Sequence, residues 1–176
     1  TDNLVVEGGE GKDQVSINTS ASTTVKISDG DSVKGSNDVI YGYKVKQGAA
    51  KEDKLDLDTK DIHAGAANAA DNIANDIKGW GISAKGKITF YKDNGFAQQT
   101  VVNSKNLDSV LKYLADKLNG TGKTVAFEYD RDGDGTADST YVFQDGNKDT
   151  VVELAGVKGT DGLNNTGGVA NEIAIQ

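Results

Sequence analysis

The residues best suited to chemistry in this chain are four aspartates in one short acidic segment. Asp130, Asp132, Asp134 and Asp138 occupy positions 1, 3, 5 and 9 of a nine-residue stretch, with Gly135 at position 6. Alternate residues of a tight loop can direct their oxygens to one point, and the glycine permits the sharp turn that this requires. Because Ca²⁺ takes oxygen ligands, this spacing predicts a calcium site.

The segment predicts a calcium loop on a β-hairpin rather than between two helices. Position 12 is Tyr141, where a helix–loop–helix calcium site needs a bidentate Glu. We expect Thr136 at position 7 to offer its backbone carbonyl and Asp138 to close the coordination shell. An acidic hairpin turn without metal is the alternative. Four carboxylates so close together would repel one another without a cation, and this favours a structural calcium ion.

A glycine-rich segment near the N terminus contains a second pattern of calcium ligands. Residues 8–16 match the nonapeptide G-G-x-G-x-D-x-U-x of calcium-binding repeats. The ligands predicted from it are the carbonyls of Gly8, Gly9 and Gly11 and the carboxylate of Asp13. An isolated copy lacks the stacked neighbour that would complete the coordination, so an ordinary glycine-rich turn is the alternative.

Composition narrows the classes of function. The chain has 176 residues, a net charge of −8 and no cysteine. The acidic balance repels phosphate backbones, so we expect no nucleic-acid partner. The lack of Cys excludes a disulfide framework, a thiolate zinc site and a cysteine nucleophile. No apolar run approaches transmembrane length and no signal peptide is visible, so we expect no membrane insertion and interpret the chain as a fragment of a larger protein.

No arrangement typical of an enzyme stands out. His63, the single histidine, has neither zinc nor triad spacing around it, and we expect a surface or capping role. Trp80 lies between two glycines, and we expect it to be a packed anchor. Carboxylates are numerous, but nothing in the sequence selects an acid–base pair. The chain is therefore predicted not to be an enzyme.

The segments that must position these groups have mostly the pattern of short strands. In residues 1–60, short alternating segments separated by turns point to a solenoid or a sandwich. Thr124–Tyr129 and Ser139–Phe143 have the same pattern and flank the acidic loop. The turn at residues 92–95 contains an Asn-Gly pair and predicts a hairpin.

Two segments have helical spacing instead. Small and apolar residues from Ala64 to Lys78 recur every three or four positions, which predicts an amphipathic helix that ends at Gly79. A leucine-rich stripe over Asn106–Leu118 predicts a second helix, with Ser104 or Asn106 as its N-cap. We expect the small-residue face of the first helix to lie close against a sheet.

The N-terminal third of the chain resembles the end of an RTX β-roll. The nonapeptide is followed by the segments Asn37–Tyr43 and Lys51–Leu57. In serralysin-type proteases and related type I-secreted proteins, the last repeats lead into D-x-I-x-x-F, a spacer and E-D-K-I-D-L. Here Tyr43 stands where that pattern has Phe, and the spacer is slightly longer. Asp38 and Asp53 in these segments are further candidate calcium ligands.

The rest of the chain resembles the C-terminal regions of secreted RTX proteins and of some Gram-negative S-layer proteins in the order of its elements. The tail Asn171–Ile175, an acidic residue followed by apolar ones, is similar to the uncleaved C-terminal signal of type I substrates. The fold that we expect is mainly β. It combines the end of a parallel β-roll over residues 1–60 with a β-sandwich-like cap over residues 61–176, which contains two short helices and the secretion-signal tail.

The resemblance implies a calcium-stabilised C-terminal module of a type I-secreted, extracellular or cell-surface protein, which serves folding and export. Where free Ca²⁺ is very low, the acidic loops repel one another and the chain stays loose enough for export. Outside the cell, sites of roughly 10⁻⁴–10⁻³ M affinity would fill and drive folding. The implied partners are calcium ions, the type I secretion apparatus and, in a surface layer, neighbouring subunits.

Two alternatives remain open. The chain could be an assembly module of a surface layer or adhesin, or the accessory domain of a secreted hydrolase. If the tail is an export signal, deleting residues 171–176 is expected to block export and to leave the fold intact.

Overall fold

A computed structural model describes residues 3–47, 51–166 and 171–176 of the chain. These residues form fifteen strands in two mixed sheets and one helix, so the fold is mainly β. The strands are β1 (Leu4–Glu7), β2 (Gln14–Ser16), β3 (Thr23–Lys26), β4 (Asp38–Tyr41), β5 (Lys54–Asp56), β6 (Ala66–Ala74), β7 (Ile77–Ile82), β8 (Lys87–Tyr91), β9 (Gln99–Thr100), β10 (Val102–Asn103), β11 (Thr124–Asp130), β12 (Ser139–Gln144), β13 (Thr150–Ala155), β14 (Leu163–Asn165) and β15 (Glu172–Ile175). The helix α1 (Leu107–Leu118) lies between β10 and β11 in the chain.

The first five strands alternate between the two sheets. β1, β3 and β5 pair in parallel in the smaller sheet, whereas β2 and β4 pair in parallel in the larger one. In the smaller sheet Val25 is aligned with Val6 on one side and with Leu55 on the other. The chain therefore changes sheet at each turn. Successive turns lie side by side, and the Gly11 N–H donates a hydrogen bond to the Asp31 carbonyl across them (3.2 Å).

The smaller sheet is completed by the last strand of the chain. Its order is β1-β3-β5-β15-β14, and β15 is antiparallel to both of its neighbours. The side chains of Ile173, Ala174 and Ile175 are fully buried. The predicted terminal strand is thus confirmed. The expectation that residues 171–176 can be removed without loss of the fold is not supported, because they contain β15, which lies between β5 and β14 in the sheet.

The larger sheet separates two apolar cores. Its order is β2-β4-β13-β12-β11-β8-β7-β6, with β9 also paired to β8 and β10 to β11. Side chains alternate along β12, so Val142 packs in the cluster shared with the smaller sheet, while Tyr141 and Phe143 pack in the cluster that contains α1. Both faces of the central strands are therefore buried.

The predicted second helix is confirmed as α1. Its apolar stripe is buried in the same core as Tyr141 and Phe143 and consists of Val110, Leu111, Leu114 and Leu118. Asn106, not Ser104, occupies the N-cap position, but its side chain makes no capping bond. Its amide instead donates to Asp76 Oδ2 at 3.0 Å, and its oxygen accepts from the Asn103 N–H at 2.8 Å. Asn106 thereby ties the start of the helix to the turn between β6 and β7.

The predicted first helix is wrong, because Ala64–Lys78 forms β6 and part of β7. The two strands pair antiparallel, with irregularities in register between Ala66 and Ala69 and between Ala70 and Ala74. At each irregularity β6 has more residues than the paired segment of β7, and this shifts the alternation of side chains along β6. The residues that face the core are therefore spaced by three or four positions and imitate the period of a helix.

The hairpin predicted at residues 92–95 and the packed position predicted for Trp80 are both confirmed. β8 and β9 form a hairpin around the predicted turn, where the Asp93 carboxylate accepts from the N–H groups of Gly95 and Gln98. Trp80 is a packed anchor with 5% of its surface exposed, and its indole N–H donates to Asp71 Oδ2 (2.9 Å). Within the described residues, no helix combines the length and the apolar character needed to cross a membrane.

Ile173→Ala is expected to reduce the free energy of unfolding by about 2–5 kcal/mol, because it leaves a cavity at a fully buried position. Denaturant unfolding followed by circular dichroism measures the change. Val5→Ala in the edge strand β1 is the matched control, since Val5 is 60% exposed and should lose less than about 0.5 kcal/mol. Equal effects of the two substitutions would contradict the interior position of β15.

Candidate metal centre

The acidic segment forms the loop of the hairpin between β11 and β12. The last aligned pair of the two strands is Tyr129 and Ser139, and the Asp138 N–H donates to the Tyr129 carbonyl at 3.0 Å. Gly133 and Gly135 have φ values of 84° and 93°, a left-handed conformation that side chains disfavour. The sequence prediction of a loop on a hairpin is therefore confirmed.

Three carboxylates of this loop converge. One oxygen from each of Asp130, Asp132 and Asp138 lies within 4.8 Å of the other two. Oxygens that share a Ca²⁺ at its usual distance of about 2.3–2.6 Å are at most about 5 Å apart. Asp130 is buried with 2% exposure, whereas Asp132 is exposed. The group can thus hold a metal ion that enters from solvent.

Backbone N–H groups of the same loop fix the orientation of these carboxylates. The two oxygens of Asp130 accept from the N–H groups of Gly133 (2.6 Å) and Gly135 (2.9 Å). An oxygen of Asp138 accepts from the Arg131 N–H at 3.1 Å. A carboxylate has about four lone-pair directions, so these bonds leave capacity for a cation. The loop therefore holds its charges together without neutralising them.

Asp134 lies outside the converging group. Its Oδ1 accepts a hydrogen bond from the Thr136 N–H at 2.7 Å and another from the Thr136 hydroxyl. These two bonds lower the pKa of Asp134, with a smaller contribution from the charge of Lys158. The predicted ligand role of Asp134 is therefore not supported by its position. The Thr136 side chain acts on Asp134, and the role of its carbonyl stays a prediction.

The glycine-rich turn at residues 8–13 brings the main chain of Asp13 to the carboxylate of Asp38. Gly9 and Gly11 have φ values of 84° and 124°. The Asp13 N–H donates to Asp38 Oδ1 at 2.9 Å, so the two acidic residues lie on neighbouring turns. Asp13 Oδ2 is buried and has no hydrogen-bond partner among the described residues. Asp13 thus lies at the glycine-rich turn and contacts Asp38, a pairing that the sequence did not predict, and the ligand roles of Gly8, Gly9, Gly11, Asp13 and Asp38 stay predictions.

Asp31 belongs to the same region and was missed by sequence reasoning. Burial raises the pKa of Asp38, and the charges of Asp13 and Asp31 raise it further. Asp31 is itself buried, and its Oδ2 accepts from the Ser28 N–H at 3.0 Å. The available signal was the segment Ser28-Asp29-Gly30-Asp31, which has the pattern of an ordinary turn. Only the pairing of β2 with β4 shows that this turn lies beside Asp13.

Asp53 has surroundings that argue against its predicted role as a calcium ligand. It is fully buried, its Oδ1 accepts from the Thr23 N–H at 2.8 Å, and its Oδ2 accepts from the Lys44 N–H at 2.8 Å. The Lys44 ammonium lies 2.9 Å from the same Oδ2. A lysine therefore already neutralises this carboxylate. Asp53 instead holds together the start of β3, the start of β5 and the segment after β4.

Asp53→Asn is expected to reduce the free energy of unfolding by about 3 kcal/mol, because it leaves Lys44 unpaired and faces an amide NH₂ with an N–H donor. Thermal and denaturant unfolding measure the loss. The control is Asp161→Asn, whose exposed carboxylate lies 3.8 Å from Lys85 and should contribute less than about 0.5 kcal/mol. A neutral effect of Asp53→Asn would contradict the structural role.

Comparisons with known proteins add no relative to this geometry. No family model, no curated protein and no solved structure matches the chain. The assignment of the candidate metal centre therefore rests on the geometry of Asp130, Asp132 and Asp138 alone.

Proposed function

We propose that this chain is a calcium-binding, calcium-stabilised module of an extracellular protein that is exported by a type I system. The observation that carries the proposal is the convergence of the carboxylates of Asp130, Asp132 and Asp138 in one hairpin loop. The module would serve folding and export rather than catalysis.

The chemistry of the donors favours calcium over other metals. Every charged donor of the candidate centre is a carboxylate oxygen, whereas zinc and copper sites use imidazole or thiolate ligands. Mg²⁺ demands near-ideal octahedral geometry and keeps several waters, while Ca²⁺ accepts irregular shells of six to eight oxygens. A loop with one buried and two more accessible carboxylates suits the second kind of ion.

Electrostatic repulsion links this site to stability. At 4.8 Å, the upper limit of the separations in this group, two unit charges repel each other by about 1 kcal/mol in a water-like medium and by about 3.5 kcal/mol at an effective dielectric constant of 20. A divalent cation between them reverses the sign of the local energy. Because the site exists only when the hairpin is folded, cation binding would stabilise the native state.

The N-terminal strands support the finer description of the fold in the proposal. β1 to β5 alternate between the two sheets and pair in parallel within each, which is the connectivity that a β-roll requires. The apolar cluster shared by both sheets supports a sandwich-like cap. The hydrogen bond from the Asp13 N–H to the Asp38 carboxylate, and the buried Asp13 Oδ2 without a hydrogen-bond partner among the described residues, support a second cation site at the glycine-rich turn. Export and extracellular location enter the proposal from the sequence resemblance.

Removal of divalent cations with EDTA is expected to lower the Tm, and millimolar Ca²⁺ is expected to restore it. At a free concentration of 100 Kd a single site stabilises by about 2.7 kcal/mol. For a chain of this size that corresponds to a shift of about 5–10 °C. Circular dichroism at constant ionic strength measures the Tm, and an unchanged Tm would contradict the proposal.

Two variants locate that effect within the chain. Asp130→Asn removes the buried charge and should abolish most of the calcium-dependent shift. Asp116→Asn is the control, because this aspartate is exposed on α1 and paired with Lys112. If Asp130→Asn kept the full shift, the stabilising ion would have to lie elsewhere.

Export is tested in cells that carry a type I exporter, by comparing the protein in the medium with that in the cells. The chain without residues 171–176 is expected to stay inside, because the proposed signal is absent. Leu55→Ala is the matched control, since Leu55 is fully buried in the strand beside β15 and the variant keeps its tail. Export of both variants, or of neither, would argue against a signal in the tail.

A further inference from the structure

Arg131 is the single cationic side chain within the acidic loop, at position 2 between Asp130 and Asp132. Among the described residues its ion pair is with Glu153 rather than with these carboxylates, although its charge acts on Asp138 from a greater distance. The side chain reaches β4, where Nη2 donates a hydrogen bond to the Tyr41 hydroxyl at 2.8 Å. The guanidinium carbon also lies 5.3 Å from the centroid of the Tyr41 ring, which is within the range of a cation–π interaction.

The same guanidinium meets a buried carboxylate on the neighbouring strand. Glu153 on β13 is 5% exposed, and Arg131 Nε lies 3.4 Å from its Oε1. This oxygen has no hydrogen bond among the described residues, and Oε2 accepts only a long bond from the Tyr141 hydroxyl (3.4 Å). Arg131 is thus the cation that the structure supplies to Glu153. A buried carboxylate without such a partner would destabilise the folded state, so the ion pair favours this one position of the Arg131 side chain.

The main chain of Arg131 contacts the candidate metal centre directly. Its N–H donates to Asp138 Oδ1 at 3.1 Å. The residues before and after it are Asp130 and Asp132, the other two members of the converging group. One residue is therefore fixed to the sheet by its side chain, bonded through its backbone to the Asp138 carboxylate, and adjacent in sequence to the other two members of the group.

We propose that Arg131 is a positioning residue of the candidate metal centre. Anchored on Tyr41 and Glu153, it orders the loop so that the carboxylates of the centre converge before a cation arrives. This inference rests on the proposed function and adds to it the residue that sets the affinity of the site.

The proposal makes a prediction that simple electrostatics contradicts. A positive charge beside a cation site should weaken binding, so its removal should raise the affinity for Ca²⁺. If Arg131 instead orders the loop, its removal should lower the affinity, because binding must then order the loop. Ordering the backbone of one residue corresponds to about a tenfold change in an equilibrium constant. The two explanations therefore differ in the sign of the effect.

The experiment titrates Ca²⁺ into the full chain by isothermal calorimetry at fixed ionic strength. Arg131→Gln is expected to raise the Kd by about tenfold. Lys158→Gln is the matched control, because this exposed lysine acts on Asp134 by its charge alone and its loss should leave the Kd unchanged or lower it by up to about threefold. An Arg131→Gln variant that bound Ca²⁺ as tightly as Lys158→Gln would overturn the inference.

A second readout separates positioning from general stabilisation. The Tm of each variant is measured in EDTA and in saturating Ca²⁺. A purely structural role would lower the Tm of Arg131→Gln in EDTA and leave its Kd unchanged, and that result also overturns the inference. If Arg131→Gln fails to fold, Tyr41→Phe replaces it, since it removes only the hydroxyl that accepts from Nη2. It is expected to raise the Kd by about threefold, and an unchanged Kd would overturn the inference.

The proposed function and this inference fail in different ways. Absence of binding heat in the unaltered chain would overturn both. Normal binding by the unaltered chain, together with unchanged or tighter binding by Arg131→Gln, would overturn the positioning role and leave the calcium site in place.

Discussion

Repulsion among carboxylates that the fold holds close together is the constraint on which this structure depends. The chain has a net charge of −8, and its acidic residues are concentrated in the turns at the ends of strands. The buried carboxylates of Asp53 and Glu153 are neutralised by Lys44 and Arg131. The carboxylates of Asp130 and Asp138 accept hydrogen bonds from backbone N–H groups and from the Ser139 hydroxyl, which orient charge without removing it. The buried carboxylates of Asp53 and Glu153 are thus paired within the fold, whereas those of the acidic loop keep their charge and could hold a metal ion.

Much of the fold could be predicted where local pattern and tertiary environment agree. The leucine stripe of α1 and the strands that flank the acidic loop have the period of the element that they form. The sequence of β6 has the spacing of a helix, because two irregularities in register place its core-facing residues Ala66, Ala69 and Ile73 three and four positions apart. No single-sequence pattern distinguishes such a strand from a helix rich in small residues. Pairing with β7 makes this segment a strand, and the spacing of apolar residues within β6 alone does not contain that information.

The position of the candidate site in the chain could be predicted, but the set of carboxylates that converge there could not. Spacing alone located the acidic loop, but Asp134 bonds to Thr136 two residues away and leaves the group. Asp53 was a further candidate from the resemblance alone, and its pairing with Lys44, which no local pattern indicates, argues against that role. The contact between Arg131 and Tyr41 joins residues 90 positions apart, and nothing in either local segment indicates it. Partners at such separations are set by strand order, which the sequence pattern left open.

The central position of β15 has a consequence for the order in which the protein can fold. Glu172 pairs with Lys54 across 118 residues, and the Thr24 hydroxyl donates to the same carboxylate across 148 residues. Contacts of this separation carry a large loop-closure entropy and form slowly. While the ribosome is still making residues 60–170, the strand that must cover β5 does not yet exist. The smaller sheet therefore cannot be completed until β15 has been synthesised, so this half of the architecture has to assemble after the strands that precede it in the chain.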